Sequence, residues 1–588
     1  MKIDVRASAR RAVDRCRALR LSDLRRLPDR PVVCTFLLGV VFTAFQMWWN
    51  IRHRHLGDFN VDEEGGLAAA FRFHRSVDLD PRPLLTQVFS TWNGPLVPLL
   101  AIPGLIIGPR SVYSAMLVQP VLVVVAGCAA AGIVNAMGHR RAALLTGVTM
   151  ILIPGSVLSS RSYQYSIGVA AFFALALWAL VTSDRGRNRW RTIGFGAATG
   201  LMTLCRTMAA SFVPGLGLAA LVILVWHRRA IVNALLAAVA AFAVAGPWWI
   251  VEWKPITDYL ALNAYGPRAH YWGTVAFSNR VDDHIRFFEA DFGYLVPIAT
   301  RAMGFVALGA VIWMVRRRRE RAWRGSARIL LAVWVAGLAG QIALLSTPNF
   351  AVFFAYPLDV AFIVGVIGLL AGLPPHGARR HWQWWKEAFS AITVCFLVGS
   401  FVVSLTMIES ERPTGGWRSL FTGDYAAGLQ SGNIDADPRL LSTDSAVRKQ
   451  AADEWWRTLV VFTDQIDRLG RAHDGPLLET VVGEVHLLNA NTILLAQEVT
   501  GKGFQGVEVV NTLEPPDDQL RHDVTPLAGG IPRVLVMING RSLGFPNGRG
   551  MSRLLTIALQ RGWVPGAPIP LPDGGNVTLM THPESLPS

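Results

Sequence analysis

The sequence predicts a polytopic α-helical membrane protein of about eleven transmembrane helices with a C-terminal soluble α/β domain. Three observations predict it. Of 588 residues, 52% are hydrophobic and only 16% charged, which overrides the several soluble domains that length alone would suggest. Apolar runs of membrane length recur from Pro31 to about residue 408. Cations fall in short clusters between those runs, as the positive-inside rule expects of cytoplasmic loops. The net charge of +15 therefore reports orientation in the membrane and not a nucleic-acid partner.

Residues 1–30 form a basic cytoplasmic tail with Arg10, Arg11, Arg15, Arg17, Arg20, Arg25 and Arg26, suited to an anionic leaflet. Residues 31–408 make up the transmembrane domain. Its first span runs from Pro31 to Trp49, which turns the following loop, 52–94, outward. The next apolar stretch, Pro95 to Gly108, is short and interrupted by three prolines. Counting it as a span would turn every later basic cluster outward, so it reads as a juxtamembrane or re-entrant element. The remaining spans then fall near 112–136, 142–158, 166–182, 192–206, 209–226, 230–250, 293–315, 328–346, 350–373 and 388–408.

A second outer loop, 251–292, mixes aromatic and charged residues, including Trp253, Tyr259, Arg268, His270 and Trp272. Its aromatic content argues for structure over disorder. Residues 409–588 read as an extracytoplasmic α/β domain. Ser442 to Arg471 is an amphipathic helix with Trp455, Leu459 and Ile466 on its apolar side. Strand-like runs at 478–482, 507–510, 534–538 and 577–580 alternate with helices closed by Gly501 and Gly562. Asn489 supplies an N-cap for the first of these helices. The five cysteines offer neither a disulfide framework nor zinc spacing. Lysine is nearly displaced by arginine, the codon bias of a GC-rich bacterial genome.

The stretch from Gly57 to Gly65 packs four carboxylates, Asp58, Asp62, Glu63 and Glu64, into seven residues directly after the first span. Such a cluster among oily and cationic neighbours suits holding or deprotonating a group at the lipid–water boundary. A solvated loop with N-capping carboxylates is the plainer alternative. Asp62-Glu63 opens a predicted helix that runs to His74, where the macrodipole favours the ionised form. An ionised carboxylate there can serve as general base toward a hydroxyl. Arg72, His74 and Arg75 follow in the same loop, and the arginine fork matches phosphate. Lipid headgroups would satisfy the same cations. No cofactor is expected, although Asp58, Asp62 and Glu64 could ligate a hard divalent cation.

A basic tail, one span, an outer loop with an Asp-Glu pair, a Pro-Leu element and many further spans: this order resembles the GT-C glycosyltransferases. The likeness is greatest to the branch of protein O-mannosyltransferases and lipid A aminoarabinose transferases. Asp62-Glu63-Glu64-Gly65-Gly66-Leu67-Ala68-Ala69-Ala70 matches that branch's Asp-Glu step and Ala-rich helix. Asn93-Gly94-Pro95-Leu96 corresponds to its His-Pro-Pro-Leu-type stretch, Arg206-Thr207 loosely to a Thr-Lys-Gly, and Arg161 to the arginine that closes the third span. The resemblance covers roughly residues 30–410. It departs in two places: no arginine stands three residues beyond Asp62, and Asn93 replaces a basic or histidine residue. Arg161, Arg206, Arg268 and His270 are then the candidates to clamp a lipid phosphate.

The resemblance implies a multi-pass plasma-membrane enzyme with a cytoplasmic N-terminus. It implies an inverting transfer from a polyprenyl-phosphate-linked sugar to an extracytoplasmic glycan, lipid or protein acceptor. Asp62 is then the base and Glu63 its catalytic neighbour. Asp58, Arg72, His74, Arg75, Asn93 and the four clamp candidates bind substrate. A polyprenyl-lipid flippase is the competing reading. Transport usually needs ionisable groups near the midplane, and here the spans are nearly free of them apart from Asp359.

Overall fold

The structure is a computed structural model. It describes residues 30–55, 59, 61–79, 81–91, 93–224, 228–261, 278–281, 321–347, 354, 356–372, 379–406, 437–442, 444–473, 477–482, 488–502, 506–509, 521–528, 531–539 and 548–584. The basic tail, the span expected near 293–315 and most of the 251–292 loop lie outside these residues.

The first helix, α1 (Arg30–His53), has 24 residues. At 1.5 Å per residue this is about 36 Å, enough to cross a hydrocarbon core of about 30 Å. Thr35, Gly39, Phe42, Gln46, Trp49 and Asn50 recur every three or four residues and are buried. Phe36, Leu37, Val40, Val41 and Ile51 are exposed, an apolar face that only lipid can satisfy. Next come α2 (Val61–Leu79) and α3 (Leu96–Ile107). The 12 residues of α3, with Pro103 inside, span about 18 Å and cannot cross alone.

The helical body continues with α4 (Val118–Ala136), α5 (Arg140–Leu152), α6 (Ser166–Val181), α7 (Arg189–Cys205), α8 (Val213–Ile223) and α9 (Arg228–Val251). It closes with α10 (Arg321–Leu345), α11 (Tyr356–Gly372) and α12 (Arg379–Thr406). Among the described residues, four segments are long and apolar enough to cross a membrane: Arg30–His53, Val112–Ala136, Arg228–Val251 and Gly325–Leu345. Shorter apolar helices fill the rest of the body.

Two expected spans are irregular, each for a local reason. Pro154 forces Ile153 into extended backbone (φ −61°, ψ 149°), which ends α5 before the span expected to reach residue 158 is complete. Arg206 is extended (φ −161°, ψ 145°), and the span expected from 209 begins with a 3-10 turn, Thr207–Phe212. Irregular backbone at this depth is tolerated only where protein groups satisfy it. At 160–161 they do: Asn50 Nδ2 donates to the Ser160 carbonyl at 3.2 Å, and Arg54 Nη1 to that of Arg161 at 3.2 Å.

The C-terminal part contains α13 (Ser445–His473), β1 (Leu478–Val482), α14 (Ala490–Thr500), β2 (Gly506–Val509), β3 (Leu527–Ala528) and β4 (Ile531–Asn539). They are followed by α15 (Gly548–Gln560), β5 (Val564–Pro565), β6 (Ile569–Pro570) and β7 (Asn576–Thr581). The sheet order is β2-β1-β4-β7-β5, with β1 parallel to both neighbours and β7 antiparallel to β4. Alternation along the strands gives the sheet two apolar faces. Val481, Val534, Val536 and Ile538 pack with Trp455, Leu459 and Phe462 of α13 and Ile493 of α14. Val482, Leu535 and Met537 pack with Leu554 and Ala558 of α15 and with Trp563.

Within this core, Glu479 is fully buried and accepts a hydrogen bond from Gln497 Nε2 at 2.5 Å. Burial pushes its carboxyl up to about 8. A carboxyl raised on folding holds its proton in the native state while the unfolded chain has already lost it. Stability is therefore full below the unfolded value of about 4.3 and falls as pH rises toward 8. At about 1.4 kcal/mol per unit, the loss is on the order of a few kcal/mol. Thermal unfolding in detergent should show a Tm that drops between pH 5 and pH 8, and Glu479→Gln should remove most of that drop.

Candidate active site

The residues that gather at the C-terminal end of α1 come from four places: α1 itself, the first turn of α2, the irregular segment 160–165, and α14. Arg54 follows the last turn of α1. Its Nη2 meets Glu63 Oε2 at 3.0 Å, and both side chains are 1% exposed. The other carboxylate oxygen, Oε1, accepts the Tyr163 backbone N–H at 2.8 Å. The Arg54 guanidinium also lies 4.5 Å over the Phe59 ring. A buried pair of this kind persists only when hydrogen bonds satisfy its remaining donors and acceptors. Here the backbone of 161–163 supplies one such bond to each partner.

Arg161 is fully buried. Its Nε donates to Gln46 Oε1 at 3.0 Å, and its guanidinium stacks 3.8 Å from the Trp49 ring. Burial lowers its pKa to about 9, which leaves it a cation at neutral pH. Glu64 is also buried, and its carboxyl is raised well above the usual range, first by burial and then by the neighbouring Glu63 charge. A hydrogen bond from the Asn489 side chain opposes part of that rise. Two adjacent carboxyls thus differ in environment: Glu63 is charge-paired, and Glu64 is driven toward its neutral form.

A second cluster forms where the turn before α3 meets the end of α7. Gly94 has φ +102°, and a Cβ there would lie 2.6 Å from the Cys205 carbonyl oxygen. This close approach seats Asn93-Gly94 on the residue preceding Arg206. Arg206 Nη1 is 3.4 Å from Ser166 Oγ, and its guanidinium lies 4.9 Å from the Phe354 ring. Residues 161–166 connect the two clusters: Tyr163 contacts Glu63, Tyr163 and Tyr165 pack on Gly66, and Ser166 holds Arg206. Gly94→Ala adds a strained left-handed alanine and a clash with backbone, and should cost about 2–4 kcal/mol. A lowered Tm in detergent is the check.

The expected site residues fall into three groups. Glu63, Asn93, Arg161 and Arg206 are brought to these two clusters. Asp62 is the second residue of α2, immediately beside Glu63, and its side chain lies outside the described residues. Asp58, Arg268 and His270 also lie outside them, as therefore do two of the three carboxylates, Asp58 and Asp62, named as cation ligands beside Glu64. Arg72 and Arg75 face a carboxylate instead of open solvent: Glu498 of α14 is 3.5 Å from Arg72 Nε and 3.0 Å from Arg75 Nη2. His74, on α2, is buried.

Sequence reasoning missed Arg54, Gln46 and Glu498, and read Asn489 only as a helix N-cap. Arg54 was hidden in the cluster Arg52-His53-Arg54, which reads as headgroup cations. Gln46 and Asn50 carried a usable signal, since two carboxamides near the end of an apolar span need partners. Nothing local marks Asn489 or Glu498 as neighbours of α2.

No family model matches the chain. Lipid A galacturonosyltransferase RgtD of Rhizobium johnstonii is 30% identical over 226 residues, 38% of this chain and 43% of that protein. The match thus spans less than half the length of this curated relative. Among solved structures, ArnT from Cupriavidus metallidurans in the apo state superposes with a TM-score of 0.50 at 13% identity, covering 92% of this chain and 97% of ArnT. The structure of the same protein bound to undecaprenyl phosphate gives 0.49 at 14% identity, with 93% and 97% covered. The chain has the fold of ArnT.

Proposed function

From that shared fold, we propose that this chain is a membrane glycosyltransferase acting on a lipid-linked donor at the extracytoplasmic face. It moves a sugar from a polyprenyl-phosphate carrier to a cell-envelope acceptor, and a lipid of the lipid A class is the acceptor best supported by the RgtD likeness. The N-terminus is cytoplasmic in this reading, and residues 409–588 are extracytoplasmic.

The acceptor hydroxyl oxygen attacks the anomeric carbon from the face opposite the phosphate, and its proton passes to the Asp62 carboxylate. The bond between the anomeric carbon and the phosphate oxygen breaks, and configuration inverts. Polyprenyl phosphate leaves as an anion, with Arg161 and Arg206 as the cations available to stabilise it. The leaving group is already good, so no general acid and no cofactor enters the step. Glu63 is an anchor and not a proton carrier, because both its oxygens are engaged.

One observation carries the reading: Glu63 of the Asp-Glu step that follows the first span is built into buried protein through Arg54 and Tyr163, not left in a solvated loop. A fixed backbone at residues 62–63 is what a general base needs and what a headgroup-facing loop does not. The test is transfer of radiolabelled sugar from synthetic polyprenyl-phosphate donors to lipid A by the purified protein in nanodiscs. Label must appear in the acceptor. Movement of donor between leaflets without transfer would sink the proposal in favour of a flippase.

A further inference from the structure

Helix α14 belongs to the sheet-bearing part of the chain by sequence, yet it is packed from both sides. Ile493 and Ala496 sit in the core beneath the sheet, while Leu495 sits in the core of the helical body. Its contacts with α2 occur at two levels. At the lower one, Asn489 Oδ1 accepts the Asn491 and Thr492 N–H groups as the N-cap, which leaves its carboxamide nitrogen to donate to Glu64. Beside it, the Asn491 carboxamide lies against Gly65, where a Cβ would approach it to 3.0 Å. At the upper level, Glu498 holds Arg75 at 3.0 Å and Arg72 at 3.5 Å.

The spacings agree. From residue 64 to 72 and from 489 to 498, each helix rises about 12–14 Å. The two helices therefore run side by side in one register over about two turns, tied at both ends. Glu498 is 5% exposed, whereas Arg75 and Arg72 are 21% and 33% exposed, so the carboxylate is the sheltered partner. Sliding α2 by one residue would break the Asn489 and Glu498 contacts together.

We propose that Asn489 and Glu498 are positioning residues for the carboxylate turn: α14 holds α2 in a single register, and so places Asp62 for proton transfer. This rests on the transferase reading given above. Geometry errors near 1 Å cost about a hundredfold in rate, so loosening a tie should act on kcat and leave donor KM nearly unchanged.

The experiment is a charge swap in the full-length protein. Glu498→Arg should lower kcat about tenfold or more with donor KM within about twofold. Arg75→Glu should do the same, and the double swap should recover most of kcat by restoring one pair across the helices. Asn489→Leu, which removes the tie to Glu64, should also lower kcat without moving KM. Thermal unfolding of each variant in detergent separates these effects from misfolding. An active wild type whose kcat is unmoved in folded Glu498 variants, or a double swap no better than the singles, overturns the positioning role. An inactive wild type overturns the transferase reading itself, and the positioning role with it.

Discussion

Asn in place of Asp62 is expected to lower the rate of sugar transfer by about 10²–10⁴-fold, the range a positioned general base contributes. That loss corresponds to about 3–5 kcal/mol of transition-state stabilisation. The same change should hardly touch stability. Position 62 lies in the first turn of α2, where losing a negative charge costs about 0.3–1 kcal/mol through the helix dipole. The two magnitudes separate a base from a cap. A solvated capping carboxylate would lose a little stability and no rate. Single-turnover transfer and thermal unfolding, measured on one preparation, distinguish them. Wild-type rates in the Asp62→Asn variant would remove Asp62 from the mechanism.

Arg54→Met should destabilise the protein by about 3–5 kcal/mol, because it takes the cation away from the buried Glu63 charge. The Tyr163 N–H, which the same carboxylate accepts, is a neutral donor and cannot replace it. Pairing this change with Glu63→Gln should recover most of the loss. The glutamine removes the stranded charge and keeps an oxygen for Tyr163. Recovery should be incomplete by about 1 kcal/mol, since Arg54 also donates to the Arg161 carbonyl. Non-additivity in this cycle is the signature of a direct pair. Simple additivity, measured by chemical or thermal unfolding in detergent, would mean that Arg54 and Glu63 do not support one another.

The first turn of α2 carries three consecutive carboxyls, Asp62, Glu63 and Glu64. Glu63 is locked inward by a cation and a backbone N–H, which fixes the backbone that its neighbour shares. Glu64, on the other side, is driven toward its neutral form by burial. Two adjacent glutamates thus differ in their charge state, and only their surroundings distinguish them.

Local features were legible in the residues. Apolar length and period marked α1 and α9, and the pattern of Trp455, Leu459 and Ile466 marked α13. Asn489 announced its N-cap, which the structure contains together with the left-handed Gly501 (φ 71°). Each of these depends on neighbours within a turn or two. A boundary between spans near residue 206 was legible from hydropathy, but the extended backbone of Arg206 was not, because nothing in Cys205-Arg206-Thr207 forbids helix. That conformation lies where Gly94 presses on the Cys205 carbonyl, from more than a hundred residues away in the chain.

By itself the sequence determined that this chain lies in a membrane, that an acidic turn follows its first span, and that strands and helices alternate near its end. Hydrophobic length, charge placement and side-chain period are properties of short stretches, so they can be read one stretch at a time. Only the tertiary structure decided which carboxylate is paired, which cation is buried, and that Glu498 reaches back to Arg72 and Arg75. Charge and protonation depend on what surrounds a group after folding, and those surroundings are assembled from residues up to 423 positions apart.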